Sequence, residues 1–180
     1  MRTVEVVSHN PAWKMIFQTE ASLVKEALGE TVMAVHHIGS TAIPDIHAKP
    51  IIDLLVKVQC MTQVDARSSS MEQLGYEVMG EFGISGRRFF FKNNRNDVRT
   101  HHIHIFNHSS AQVKRHLAFR DYMIAHPTDA KQYSDLKHQL AHQYPTNIDG
   151  YMDGKDSFIK AIDVKAVQWN ALQTVPQSEP

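Results

Sequence analysis

Gly39 and Ser40 close a β-branched stretch, and Asp53 interrupts the apolar run "PIIDLLV" thirteen residues after that serine. A Gly-Ser turn leaving a strand offers backbone N–H groups and a hydroxyl to an anion, and glycine lets the anion come close. A carboxylate on the next strand could hold a metal ion bridging the same phosphates. Nucleotidyl transfer asks for that pairing: one element grips a diphosphate and another neutralises the reacting phosphorus. The same residues also suit a plain tight turn followed by a strand whose aspartate pairs with a neighbour. Spacing alone leaves both readings open.

The elements that must position these residues follow from periodicity. Trp13, Ile16, Phe17, Leu23, Val24, Ala27 and Leu28 recur at helical spacing between Pro11 and Gly29, with Asn10 as N-cap. Residues 31–38 read as a strand, and 50–58 as a strand buried on both faces. A helix is expected over 62–74, with Val64, Met71 and Leu74 inward. Strands follow in "YEVMGEF", "GRRFFFKN" and "RTHHIHIFN", the last two joined by the polar turn "KNNRND". Residues 3–7 could form a short edge strand.

After Asn107 the pattern turns helical. Val113, Leu117 and Ile124 mark one helix. Ala130, Tyr133, Leu136 and Leu140 mark a second, with Thr128 as N-cap. Phe158, Ile162, Ala166 and Trp169 mark a third from about Asp153. The expected layout is an α/β part over 1–108, a helical part over 109–172 and a flexible tail over 173–180.

Composition narrows the functional classes. The 180 residues carry 19 Lys plus Arg against 19 Asp plus Glu, so any anion site is local rather than a general field. Neither a basic stripe nor an aromatic–basic surface speaks for nucleic acid. No apolar run reaches the roughly 18 residues of a membrane span, and the N-terminus lacks an apolar leader core. The single cysteine, Cys60, suggests a reducing, cytoplasmic setting. The expected partner is a nucleotide or phosphorylated small molecule; no oligomeric state follows from the sequence.

The stretch "HIGSTAIPDIHAKPIIDLLV" closely resembles the signature of the GrpB family, and "GRRFFFK", "HIHIF", "RHLAFRDYM", "HPTDAKQYSDLK" and "YMDGKDSFI" extend the likeness over about residues 4–168. The resemblance implies an α/β (α+β) fold: a nucleotidyltransferase-like mixed sheet of polymerase-β type, with flanking helices and a helical C-terminal part. Members are largely without a defined activity, and some relatives are fused to an enzyme of coenzyme A synthesis.

Against the superfamily pattern, Gly39, Ser40 and Asp53 match, but Leu55 stands where a second carboxylate is usual, and two metals need more than one carboxylate. The third acidic position falls near "HHIHI", where His102 and His104 share one strand face. If that strand lies beside Asp53, the set Asp53, His102 and His104 favours Zn²⁺, Mn²⁺ or Fe²⁺ over Mg²⁺. Asp45-Ile46 replaces the family's Gly-Leu, which predicts a less pliant loop.

Other candidates are local. His37 could orient Ser40 or contact phosphate, with Thr41 following in the same turn. Lys49 stands at the entry of the Asp53 strand. Of Arg87 and Arg88 only one can share the inward face, and Arg88 is the choice. Arg120, Lys137 and Lys155, from three helices, suit a triphosphate, and Tyr133 or Tyr151 could stack a base or simply pack. His36, His101, His108 and His116 read as surface. Three functions remain: a divalent-metal-dependent (Mg²⁺ or Mn²⁺) nucleotidyltransferase acting on a small molecule, a non-catalytic nucleotide binder, or a metal-centred phosphate-ester hydrolase built on Asp53, His102 and His104.

Overall fold

The computed structural model describes residues 4–173. The elements run α1 (Ala12–Leu28), β1 (Val32–Ile38), β2 (Ile52–Val58), α2 (Met61–Ala66), α3 (Ser68–Gln73), β3 (Tyr76–Val78), β4 (Arg88–Asn93), β5 (Arg99–Asn107), α4 (Ala111–Ala125), α5 (Pro127–Gln143) and α6 (Ile148–Gln173). The tail expected from residue 173 falls, beyond Gln173 itself, outside the described residues. No helix among them is long and apolar enough to cross a membrane.

Two compact units share the chain. One comprises residues 10–42 and 50–113; the other takes the remaining described residues, 4–9, 43–49 and 114–173. The first holds a five-stranded mixed sheet in the order β1-β2-β5-β4-β3, with β2 and β5 parallel and every other pair antiparallel. Leu54, Val56, Ile103 and Ile105 are fully buried on one face, the continuous apolar content expected of central strands.

α1 packs on that face, but with a different stripe from the one periodicity suggests. Ile16 and Leu23 are exposed, while Glu20 is buried beside Trp13 and Val24. Glu20 Oε1 accepts the Tyr76 hydroxyl at 2.7 Å and pairs with the Lys92 ammonium; His101 Nε2 lies 3.9 Å from Oε2. His101, read from sequence as surface, is therefore nearly buried under α1. Burial alone would raise the Glu20 pKa, but the bonds from Lys92 and Tyr76 outweigh it and hold the carboxylate below its usual range. Such a depressed carboxyl stabilises the fold above the unfolded pKa, near 4.5, and that contribution fades as pH falls through the folded value. Glu20→Gln is expected to cost about 3 kcal/mol at pH 7, because it strands the Lys92 charge. In urea titrations the gap to wild type should narrow below that pH.

The helix expected over 62–74 breaks at Arg67 into α2 and α3. In the second unit α5 begins at Pro127 with His126 as N-cap, not at Thr128. α4 buries Ala118, Tyr122 and Met123 while Ile124 is exposed; these side chains join Tyr133, Ile162 and Ala166 in one core, with Phe158 and Trp169 against it. Of the edge strand expected over 3–7, residue 3 lies outside the described residues, and among the described ones a single bridge from Val7 to Ala48 is present. Asp45 takes φ 61°, a left-handed turn that Asp adopts more readily than most residues.

Candidate functional site

The parallel ladder sets Asp53 opposite His102 and Leu55 opposite His104, so the expected adjacency of the two strands is present. Side chains alternate, which brings Asp53, His102 and His104 to the sheet face turned away from α1. His102 Nδ1 lies 3.1 Å and His104 Nε2 3.6 Å from the same oxygen, Asp53 Oδ1. The antiparallel partner β4 places Phe89 beside His104 and Phe91 beside His102.

Two arginines stand behind the imidazoles. Arg87 Nη1 is 3.3 Å from His104 Nδ1, and Arg99 Nη1 is 3.3 Å from His102 Nε2. Arg87 is held by the Glu81 and Phe82 carbonyls at 3.1 and 2.6 Å and lies over the Phe89 ring. Phe82 supplies its carbonyl from φ 44°, an uncommon conformation for a bulky residue. Arg99 donates to Asn93 Oδ1 at 2.8 Å and sits 3.3 Å over the Phe91 ring.

The structure thus puts Arg87, not Arg88, on the carboxylate's face. Arg88 points the other way and holds Asp65 of α2 with two nitrogens, at 2.6 and 2.9 Å. Arg99 carried no sequence signal, because strict alternation assigns it to the face of His101. A register shift between Lys92 and Asn93 turns it over.

The turn after β1 closes on the same carboxylate. Gly39 has φ 71°, and a β-carbon there would lie 3.0 Å from Asp53 Cγ and closer still to Oδ2. Ser40 follows in a single 3₁₀ turn over Ser40–Ala42. Thr41 is buried and donates to the Ile51 carbonyl at 3.2 Å while bonding His37 Nε2 at 2.9 Å, which ties the turn to the entry of β2. His37 belongs to the helix-covered face, its ring stacked on Phe17 at 4.7 Å. Strand alternation turns it away from the face that carries Asp53.

Burial acts to raise the Asp53 pKa, but the bonds and charges of His102 and His104 prevail and hold it far below the usual carboxylate range. His104 is pushed down, first by burial, against the opposing pull of Asp53. Both directions describe an ionised carboxylate beside a neutral imidazole.

Asp53, His102 and His104 have the ligand types of a transition-metal site, with donor atoms within 4.8 Å of one another. Their surroundings do not fit one. A metal-bound imidazole donates its outer N–H to an acceptor, and here each outer nitrogen faces a guanidinium, which has no acceptor. Mg²⁺ fits no better: Leu55 is fully buried where a second carboxylate would stand.

The remaining candidates belong to the helical unit. Lys49 and Lys155 lie over the Tyr151 ring at 4.4 and 5.0 Å. Lys137 is buried, donates to the His47 carbonyl and sits 4.4 Å over Tyr133. Tyr133 stacks on Phe158 at 5.4 Å and belongs to the core. Arg120 pairs with its neighbour Asp121 at 2.7 Å.

The mixed sheet, with its Gly-Ser turn set on a strand carboxylate, is distantly similar in fold to nucleotidyltransferases. The fold is similar to that of terminal uridylyl transferase 4 from Trypanosoma brucei, at TM-score 0.54 and 13% identity, over 94% of this chain and 57% of that one. The chain belongs to the GrpB family, whose model, GrpB protein, matches residues 3–165. It is 44% identical over 168 residues to UPF0157 protein YqkA of Bacillus subtilis, covering 93% of this chain and 48% of the relative. It therefore spans about half the length of that protein. The crystal structure of GrpB from Enterococcus faecalis is similar at TM-score 0.88 and 46% identity, over 92% of this chain and 99% of that one.

Proposed function

We propose that the protein binds a nucleotide or another phosphorylated small molecule where the Gly39-Ser40 turn meets Asp53, without a two-metal transfer step. The observation that carries this reading is the packing of Gly39 on the Asp53 carboxylate, closer than any side chain allows. That approach leaves backbone rather than side chain beside the acid, as close anion binding requires. Arg87 and Arg99 outnumber the one carboxylate, so the five-residue cluster is cationic. The uridylyl transferase of similar fold is seen with bound dUTP, which supports a nucleotide as the first ligand class to try. The buried Leu55 argues against paired metals, and the guanidiniums argue against the hydrolase alternative. A single cysteine suits a reducing cytoplasm.

Thermal-shift titration of wild type and Asp53→Asn with the four nucleoside triphosphates, each with and without Mg²⁺ or Mn²⁺, tests the proposal. Ligand at a hundredfold excess over Kd should add about 2.7 kcal/mol, a rise of roughly 5–10 °C. Asp53→Asn puts an amide where both imidazoles are held on one carboxylate, so it should dismantle the cluster and remove that rise despite the lost negative charge. No shift with any nucleotide, or equal shifts in both proteins, would refute the site.

A further inference from the structure

We infer that Arg87 and Arg99 are positioning residues that fix the tautomers of His104 and His102, keeping the Asp53 cluster a metal-excluding hydrogen-bonded relay. A guanidinium donates and never accepts. The ring nitrogen facing each one must therefore carry the lone pair. For His102 that nitrogen is Nε2, which puts the proton on Nδ1, aimed at Asp53 Oδ1. For His104 it is Nδ1, which puts the proton on Nε2, aimed at the same oxygen. The two imidazoles thus use opposite tautomers to the same end.

A cation between Asp53 and these rings would need lone pairs on the two nitrogens that now carry protons. Moving the protons outward sets N–H against N–H at 3.3 Å on both sides. Neither arginine can step aside cheaply. Arg87 is tied to two carbonyls and a ring, and Arg99 to Asn93 and a ring. Metal-binding histidines show the reverse arrangement, with an acceptor behind the ring. This relay is wired for a carboxylate in the centre and cations outside. It stands whether or not a nucleotide binds, because it is a property of the free protein.

The test reads the tautomers directly. Long-range ¹H–¹⁵N correlation of the imidazoles in labelled wild type, assigned with His102→Gln and His104→Gln, should show protonated Nδ1 at His102 and protonated Nε2 at His104. The opposite tautomer at either ring overturns the inference. Calorimetric titration with Zn²⁺ alone supplies a second readout. Other histidines can take zinc, so the comparison is between wild type and Asp53→Asn, whose isotherms should coincide. An affinity class at least tenfold weaker in Asp53→Asn would mean that wild type holds a metal there. Arg87→Met with Arg99→Met should create an Asp53-dependent zinc site at least tenfold tighter; Arg99→Met alone serves if the double variant does not fold. Failure to gain such a site in a folded variant also counts against the inference.

Discussion

Lys137→Met is expected to raise the unfolding free energy at pH 7 by about 2 kcal/mol. The Lys137 side chain is almost wholly shut off from solvent, and burial, reinforced by the charge of Lys155, pushes its pKa down to about 7. In the unfolded chain the ammonium returns to its ordinary value near 10.5. Between those values the unfolded state binds more protons than the folded one, so stability climbs with pH across that window. At neutral pH the wild type therefore carries a penalty on the order of 4 kcal/mol. Methionine has similar length and no charge to bury, but it leaves the His47 carbonyl without its donor, a loss of about 1–3 kcal/mol. The difference is the expected gain. Urea titrations at pH 7 and pH 9.5 should show the variant's advantage shrinking at the higher pH. An advantage that stays constant with pH would show that the lysine titrates in its ordinary range.

Gly39→Ala should act in the opposite direction, by about 3 kcal/mol. An L-residue at φ 71° costs about 1–2 kcal/mol in backbone strain. The added methyl must also displace the Asp53 carboxylate, which is held from the far side by two imidazoles. That second cost is the informative one, since it couples the turn to the cluster. Gly86→Ala separates the two: its φ is 76°, but a β-carbon there meets nothing within 4 Å. Gly86→Ala should lose about 1 kcal/mol and keep ligand binding, while Gly39→Ala loses more and abolishes it. Equal losses in the two variants would mean that the Gly39 turn gives way without disturbing Asp53.

The sheet was legible in the sequence because β2 is apolar on consecutive positions and β5 alternates polar with apolar residues, and "IIDLLV" admits few other readings. The grouping of Asp53 with the alternating pair His102 and His104 was legible because period-two geometry needs only a correct neighbour. What escaped was whatever depends on register or on close approach. Choosing Arg88 over Arg87 is a one-residue error, and one residue in a strand is one face. Arg99 needed a bulge that no pattern announces. His101 reads as surface and Glu20 carries no signal of its own, yet α1 lays Glu20 over the sheet beside His101, Lys92 and Tyr76. α6 starts at Ile148, five residues before the expected Asp153, and no break falls at Gly150 or Gly154. Instead, a β-carbon at Gly154 would strike Leu140, and one at Gly150 would strike Tyr144. The glycines are spacers for tight packing, and the helix runs through them despite their low propensity.

The path of the chain between its two units has a genetic consequence. Residues 4–9 and 43–49 belong with 114–173, while the intervening stretches build the sheet. No single cut in the coding sequence releases either unit whole, and no contiguous exon-like block encodes one of them. A recombination event that exchanged the helical unit would have to replace three separate stretches at once. The two units are thus bound to be inherited together, as the unbroken family match over residues 3–165 reflects.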